Sequence, residues 1–244
     1  MPILHCGSQK FSHLEAVIFD KDGTLEDSWA YLHTLTQFRL SSLEALCPQS
    51  TAPLALALGY QKGILDPAGL MAVGSRLECE IASAVVLAQR GYCWFEALEL
   101  ARQSFEDADA QMARQGQTGT LFPGVKELSA TLHQGGLKLA VLSAARTAVV
   151  TTFVEHQGLL PYFQVLMGSD QGLSKPDPAL YLRTCELLAV DPVHTLMVGD
   201  AQGDITMAQK AGAKTAAISW PQRPAVSLKG MDVVVTALSQ IRLG

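Results

Sequence analysis

The second half of the chain alternates between short apolar runs and helical segments, and this alternation constrains the fold more than any other feature. Apolar runs at residues 138–142, 163–167, 195–198 and 214–219 are separated by stretches with helical spacing, such as 147–156. Runs of this kind are typical of strands in a parallel sheet that is covered on both faces. Repeated β-α units place helices on both faces of such a sheet. The sequence therefore predicts a doubly wound, Rossmann-like α/β core.

A long segment near the start of the chain has a different pattern. From Trp29 to Leu46 the apolar residues roughly follow three-to-four spacing, and further helical stretches follow without a convincing strand. This predicts an all-helical domain over residues 29–117, inserted into a core that is made of residues 1–28 and 118–244.

Composition and charge exclude several classes of partner. The net charge is -5 and no basic run occurs, so we expect neither nucleic acid nor a membrane as the main partner. No window approaches the roughly 18–20 apolar residues that span a bilayer, and the first residues lack a signal-peptide core. The five scattered cysteines form no CxxC pair, which is typical of reduced thiols. We expect a cytoplasmic protein, whose oligomeric state the sequence leaves open.

Polar residues follow the predicted strands at 138–142, 163–167 and 195–198, and they also follow a further predicted strand, the apolar run at residues 16–19. Because the carboxyl ends of parallel strands meet at one edge of the sheet, where ligands bind in open α/β folds, we expect these groups to form one site. The candidate site residues, in chain order, are Asp20, Asp22, Gly23, Thr24, Ser143, Ala144, Lys175, Asp200 and Asp204.

These residue types match the requirements of phosphoryl transfer from a monoester. Asp20 is the predicted nucleophile, and Asp22 is the predicted acid and base for the leaving group and the attacking water. Asp20 and Asp200 are predicted ligands of Mg²⁺, which prefers a few carboxylates together with waters and substrate phosphate. Lys175 supplies a compact cation for the remaining charge of the phosphate.

A second set of groups is predicted to hold the oxygens of the substrate phosphate. It consists of the Ser143 hydroxyl with the neighbouring Ala144, and of the backbone N–H groups of Gly23 and Thr24. The substrate is therefore expected to be a small phosphorylated metabolite.

Four segments, in this order, resemble the motifs of the haloacid dehalogenase superfamily of phosphatases: DKDGTLEDS, LSAAR, KPDPALYL and GDAQGDITMAQKAGA. The resemblance covers about residues 14–28 and 118–240 of the core. It implies a sheet in the order 5-4-1-2-3. It also implies Mg²⁺ held by Asp20, by the backbone oxygen of Asp22 and by Asp200.

Within the same family pattern, Asp204 supports either the water shell of the metal or Lys175. The helical insert resembles the C1 cap of the family, and the overall layout is similar to that of phosphoglycolate phosphatases and β-phosphoglucomutases. Three positions depart from the family pattern. Lys21 stands where the residue is usually apolar or aromatic, Ala201 stands where serine is common, and residues 144–146 replace more polar ones.

The sequence predicts a Mg²⁺-dependent phosphoric monoester hydrolase that acts through an aspartyl-phosphate. A phosphomutase of the β-phosphoglucomutase type uses the same core groups and stays open as an alternative. A non-catalytic module that binds phosphometabolites is the alternative from a different class.

Overall fold

The computed structural model describes residues 2–115, 119–170, 172–223 and 226–244. The chain divides into two compact units. One unit combines the segment up to Asp27 with Thr120–Gly244, and the other is the segment Ser28–Gly119. The predicted domain boundary between residues 117 and 118 lies outside the described residues.

Short strands come first along the chain, helices dominate its middle, and strands and helices then alternate. The strands are β1 (Leu4–Cys6), β2 (Gln9–Phe11), β3 (Ala16–Phe19), β4 (Glu26–Asp27), β5 (Tyr60–Gln61), β6 (Ile64–Leu65), β7 (Thr120–Leu121), β8 (Lys138–Leu142), β9 (Val165–Met167), β10 (Thr195–Gly199), β11 (Lys214–Ile218), β12 (Val233–Val235) and β13 (Ile241–Leu243). The helices are α1 (Trp29–Leu46), α2 (Thr51–Leu58), α3 (Leu70–Val73), α4 (Arg76–Ala88), α5 (Trp94–Gln115), α6 (Val125–Gln134), α7 (Thr147–His156), α8 (Pro178–Leu188) and α9 (Gln202–Lys210). Within the described ranges, no helix has both the length and the apolar character of a membrane span.

The first unit is built around a six-stranded sheet in the order β12-β11-β10-β3-β8-β9, in which every pairing is parallel. Counted from β3 through β8, β9, β10 and β11, the order is the predicted 5-4-1-2-3, and β12 adds a sixth strand beside β11. In the register, Phe19 lies beside Val198 on one side and beside Val141 on the other. The predicted α/β fold class is confirmed, and the carboxyl ends of β3, β8 and β10 lie next to one another.

Helices cover both faces of this sheet, which explains the continuous apolar runs of its strands. Val17 and Phe19 of β3 are buried in one core cluster, whereas Ala16 and Ile18 are buried in another. Successive side chains of a strand point to opposite faces, so a strand that is covered twice has no polar face.

Two smaller sheets in the described part of the first unit were not predicted. Strands β13, β1 and β2 form an antiparallel three-stranded sheet, with Leu4 paired to both Leu243 and Phe11. Residues Ile241–Leu243 at the end of the chain are therefore a strand of this sheet. Strands β4 and β7 pair antiparallel, so the chain leaves and re-enters the first unit side by side.

The second unit is helical, with a core of its own contributed by α1 to α5. The expectation of an all-helical insert needs one correction, because β5 and β6 form a two-stranded hairpin. Its turn places Lys62 at φ 51° and Gly63 at φ 77°. Turns with two positive φ values usually have the sequence Asn-Gly. Because Lys62 stands where Asn is usual, the sequence did not predict this hairpin.

Candidate active site

The sheet brings three of the predicted site positions together at its carboxyl edge. Asp20 follows β3, and its N–H donates to the Val198 carbonyl at 2.9 Å. Ser143 follows β8, and Asp200 follows β10. Since β3 lies between β8 and β10, these three side chains belong to adjacent strand ends.

Lys175 links two carboxylates in this site. Its Nζ lies 2.5 Å from Asp20 Oδ1 and 2.6 Å from Asp204 Oδ1, and all three side chains are at most 6% exposed. Lys175 comes from the loop before α8, while Asp204 lies in the first turn of α9 and accepts the Ala201 N–H at 3.2 Å. The lysine therefore joins the predicted nucleophile to the start of α9.

Three carboxylates form a cluster that suits a cation. Oxygens of Asp20, Asp200 and Asp204 lie within 4.8 Å of one another. Asp200 packs directly against Gly23, where a Cβ would lie 1.9 Å from Asp200 Oδ2, so only glycine allows this approach. An all-oxygen set with more carboxylates than ammonium groups fits a hard divalent ion such as Mg²⁺. The side chain of Asp22 is outside this cluster, although its predicted ligand atom is the backbone oxygen.

The electrostatics of the cluster reflect this excess of negative charge. Burial raises the pKa of Asp20 to about 7; Lys175 opposes the rise, and Asp204 adds to it. Burial, together with Asp20 and Asp204, also raises the pKa of Asp200 well above its usual value. Burial alone would lower the pKa of Lys175, but Asp20 and Asp204 raise it above its usual value. A cation among these carboxylates would lower the pKa values of Asp20 and Asp200, because it favours their charged forms.

The predicted phosphate-binding groups lie next to Asp22. The Ser143 hydroxyl is buried, accepts the Ala145 N–H at 3.1 Å and lies 3.4 Å from Asp22 Oδ2. The N–H groups of Gly23 and Thr24 donate within their own loop. The Gly23 N–H donates to the Glu26 carbonyl at 2.9 Å, and the Thr24 N–H donates to the Lys21 carbonyl at 3.4 Å. The phosphate-binding role of these two N–H groups, and that of the partly buried Ala144, stays a prediction.

Lys21 and Glu26 form an ion pair in this loop that sequence reasoning missed. Lys21 Nζ lies 2.6 Å from Asp22 Oδ1 and 2.5 Å from Glu26 Oε2. Burial would lower the pKa of Lys21, but Asp22 and Glu26 raise it above its usual value. The sequence singled out Lys21 as unusual, yet nothing in its pattern pointed to Glu26 as its partner.

Trp220 is a second residue that sequence reasoning missed. Its Nε1–H donates to the Gly23 carbonyl at 2.9 Å, and its ring stacks on Phe122 at a centroid distance of 4.1 Å. Trp220 thus braces the loop that carries Asp22 and Gly23. It lies just beyond β11, far along the chain from that loop, and no local motif marks it.

Comparison with known proteins places the chain in a family. The profile of the haloacid dehalogenase-like hydrolases matches residues 14–212. A phosphoglycolate phosphatase of Salmonella paratyphi A is 25% identical over 235 residues, which cover 95% of this chain and 92% of that protein.

Two solved structures with similar folds are of proteins that are named for activities other than phosphoglycolate hydrolysis. A 2-haloacid dehalogenase from Pseudomonas syringae has a TM-score of 0.61 and 26% identity, covering 93% of this chain and 96% of the other. A β-phosphoglucomutase from Clostridium difficile has a TM-score of 0.64 and 19% identity, covering 93% and 92%. At 19% identity, the similarity to the β-phosphoglucomutase structure shows a shared fold and nothing more.

The chain belongs to the haloacid dehalogenase-like hydrolase family. This confirms the resemblance drawn from the four motifs, and with it the prediction of a haloacid dehalogenase-type hydrolase. The site predicted a phosphoric monoester hydrolase. The similar phosphoglycolate phosphatase of Salmonella paratyphi A belongs to this same enzyme class.

Proposed function

We propose that this enzyme hydrolyses a small phosphorylated metabolite, with Mg²⁺, through a phosphoryl group carried on Asp20. The observation that carries the proposal is the position of Asp20 at the end of β3. There its carboxylate is buried against Lys175 and lies within a carboxylate cluster. A buried carboxylate that is held beside a cation is ready to act as a nucleophile on an anionic group.

In the first step, a carboxylate oxygen of Asp20 attacks phosphorus. The bond from phosphorus to the leaving oxygen breaks, and its electron pair stays on that oxygen, which takes a proton from Asp22. Lys175, 2.5 Å from Asp20 Oδ1, offsets charge on the phosphoryl oxygens. Ser143 is placed to donate to one of those oxygens.

In the second step, water attacks the phosphorus of the aspartyl-phosphate. Asp22, now a carboxylate, takes a proton from that water. The bond between phosphorus and Asp20 breaks, so that inorganic phosphate leaves and the Asp20 carboxylate is restored. One side chain therefore serves as acid in the first step and as base in the second.

Mg²⁺ would be held by Asp20, Asp200 and the backbone oxygen of Asp22. Asp204 would act through Lys175, with which it forms an ion pair. When bound, the ion supplies positive charge for the phosphoryl oxygens. The carboxylate cluster and the raised pKa values of Asp20 and Asp200 support this assignment.

The relatives and the division of the chain into two units support a proposal for the substrate class. The relative from Salmonella paratyphi A is named a phosphoglycolate phosphatase, and we propose phosphoglycolate or a sugar phosphate as the substrate of this enzyme. Residues 1–28 and 118–244 would be the catalytic core, and 29–117 the cap that selects the leaving group. We propose a cytoplasmic location for such an activity.

A test is phosphate release from a panel of phosphoglycolate, sugar phosphates, nucleotides and p-nitrophenyl phosphate, with Mg²⁺ or with EDTA. We expect turnover of at least one monoester with Mg²⁺ and none with EDTA. Asp200→Asn should lower turnover by at least roughly 10²-fold, and it should remove the rise in melting temperature that Mg²⁺ gives the wild type.

The matched control for this panel is Asp191→Asn, at the amino end of β10, where Asn caps the following turn as well as Asp does. It should keep both turnover and the Mg²⁺-dependent melting temperature. Turnover only with a sugar bisphosphate activator would favour a phosphomutase. Binding of these compounds without turnover would favour a non-catalytic module, and full activity in EDTA would contradict the metal assignment.

A further inference from the structure

The lysine between the two catalytic aspartates is buried. Lys21 is 4% exposed, and its ammonium lies 5.3 Å from the centroid of the Phe153 ring. A buried ammonium is costly unless it is paired, and an apolar side chain of similar volume often replaces a buried ion pair without loss of stability. A cation is therefore not needed at this position merely to fill space.

The Lys21 ammonium contacts two carboxylates of the same loop region. Its Nζ lies between Asp22 Oδ1, at 2.6 Å, and Glu26 Oε2, at 2.5 Å. The backbone fixes this arrangement, because the Lys21 carbonyl accepts the N–H groups of Leu25 at 2.9 Å and Glu26 at 2.8 Å. Glu26 is further held by the pairing of β4 with β7. Lys21 is thus anchored at one carboxylate and contacts a single oxygen of the other.

We propose that Lys21 is a positioning residue for proton transfer, which holds Asp22 Oδ1 so that Oδ2 stays beside Ser143. The second oxygen lies 3.4 Å from the Ser143 hydroxyl, which places it next to the predicted phosphate site. This inference rests on the proposed function, in which Asp22 gives a proton to the leaving oxygen. Lys21 touches no reacting atom and acts through Asp22 alone.

The test compares two leaving groups. An alkyl phosphate needs a proton on its leaving oxygen, whereas p-nitrophenolate leaves as an anion without one. The value of kcat/KM covers the steps through departure of the leaving group. We expect Lys21→Met to lower kcat/KM for phosphoglycolate, or for the alkyl phosphate that the panel identifies, by about 10²-fold. For p-nitrophenyl phosphate the decrease should be far smaller.

A double-mutant cycle separates positioning from damage to the fold. If Lys21 acts through Asp22, Lys21→Met should cause no further loss for the alkyl phosphate in an Asp22→Asn background. Lys21→Met with Glu26→Gln removes both charges of the Lys21–Glu26 pair, so that Glu26 does not stay charged without this cation. The double variant should show the same leaving-group dependence. Lys21→Arg keeps a cation and should retain more activity than Lys21→Met. Lys126→Met, on the exposed surface of α6, is the control.

The outcomes distinguish this inference from the proposed function. Equal losses with both esters, or additive losses in the cycle, overturn the positioning role and leave the proposed function standing. If Asp22→Asn itself leaves the alkyl phosphate reaction unchanged, the acid assignment fails, and the role of Lys21 fails with it. A chain that hydrolyses no phosphomonoester at all contradicts the proposed function before Lys21 is considered.

Discussion

Asp20→Asn is expected to lower phosphate release by roughly 10⁴-fold or more, because an amide oxygen does not form the phosphoryl intermediate. The fold should survive this change. Burial already raises the pKa of Asp20 to about 7, so the charged form is costly, and Lys175 keeps Asp204 as a partner. The measurement is phosphate release with Mg²⁺, together with a melting curve for each protein.

The control for Asp20→Asn is Glu15→Gln, next to the amino end of the same strand, where Glu15 contacts His194 at 3.1 Å. That variant should keep its activity, since it changes a carboxylate at the opposite edge of the sheet. Wild-type turnover by well-folded Asp20→Asn protein would exclude Asp20 as the nucleophile.

Lys175→Met is expected to destabilise the metal-free protein by about 3–5 kcal/mol, because it leaves Asp20 and Asp204 buried without their cation. Activity should fall with it. Lys175 lowers the pKa of Asp20, so its loss raises that pKa further above the unfolded value. A carboxyl whose pKa is raised by folding favours the folded state at low pH, and that advantage is lost as the pH rises through the folded pKa.

The decrease in the free energy of unfolding caused by Lys175→Met should therefore be larger near pH 8 than near pH 5. These two pH values lie above and below the pKa of Asp20, which is about 7 in the wild type. Urea unfolding at the two pH values measures it. Lys210→Met, at the exposed end of α9, serves as the control and should unfold like the wild type. A penalty of the same size at both pH values would show that Lys175 does not act through these carboxylates.

The core strands and helices could be predicted because their patterns are strong. Strands β3, β8 and β10 are buried on both faces, so their apolar runs are unbroken. Helix α8 begins at Pro178, and Asp177 caps it by accepting the Ala179 N–H, a combination that marks a helix start in the sequence.

The missed elements are short or begin in an unusual way. Strands β1, β2 and β13 have three residues each, too few for a period to show. Helix α2 contains Pro53, and a proline inside an apolar run of the sequence usually predicts a break in the helix. In the structure Pro53 lies in the first turn of the helix, where the missing N–H of proline costs nothing.

Some features of the candidate site could likewise be predicted from the sequence, and others could not. Asp20, Ser143 and Asp200 follow from topology, because each comes directly after a strand whose place in the sheet is implied by the β-α order. The contact of Lys21 with Glu26 and the bond from Trp220 to Gly23 depend on how side chains pack within and beyond a loop. No local pattern encodes such contacts, so they emerge only from the folded chain.

Phosphorylation of Asp20 during turnover can be tested by isolating the phosphoryl group on the protein. Asp22→Asn should form the intermediate from acetyl phosphate, whose leaving group needs no proton, and should hydrolyse it slowly. After an acid quench, mass spectrometry should find one phosphoryl group on the peptide that contains Asp20, and hydroxylamine should remove it. A phosphoryl group on another residue, or turnover with no phosphorylated protein at any time point, would exclude Asp20 as the residue that carries the phosphoryl group.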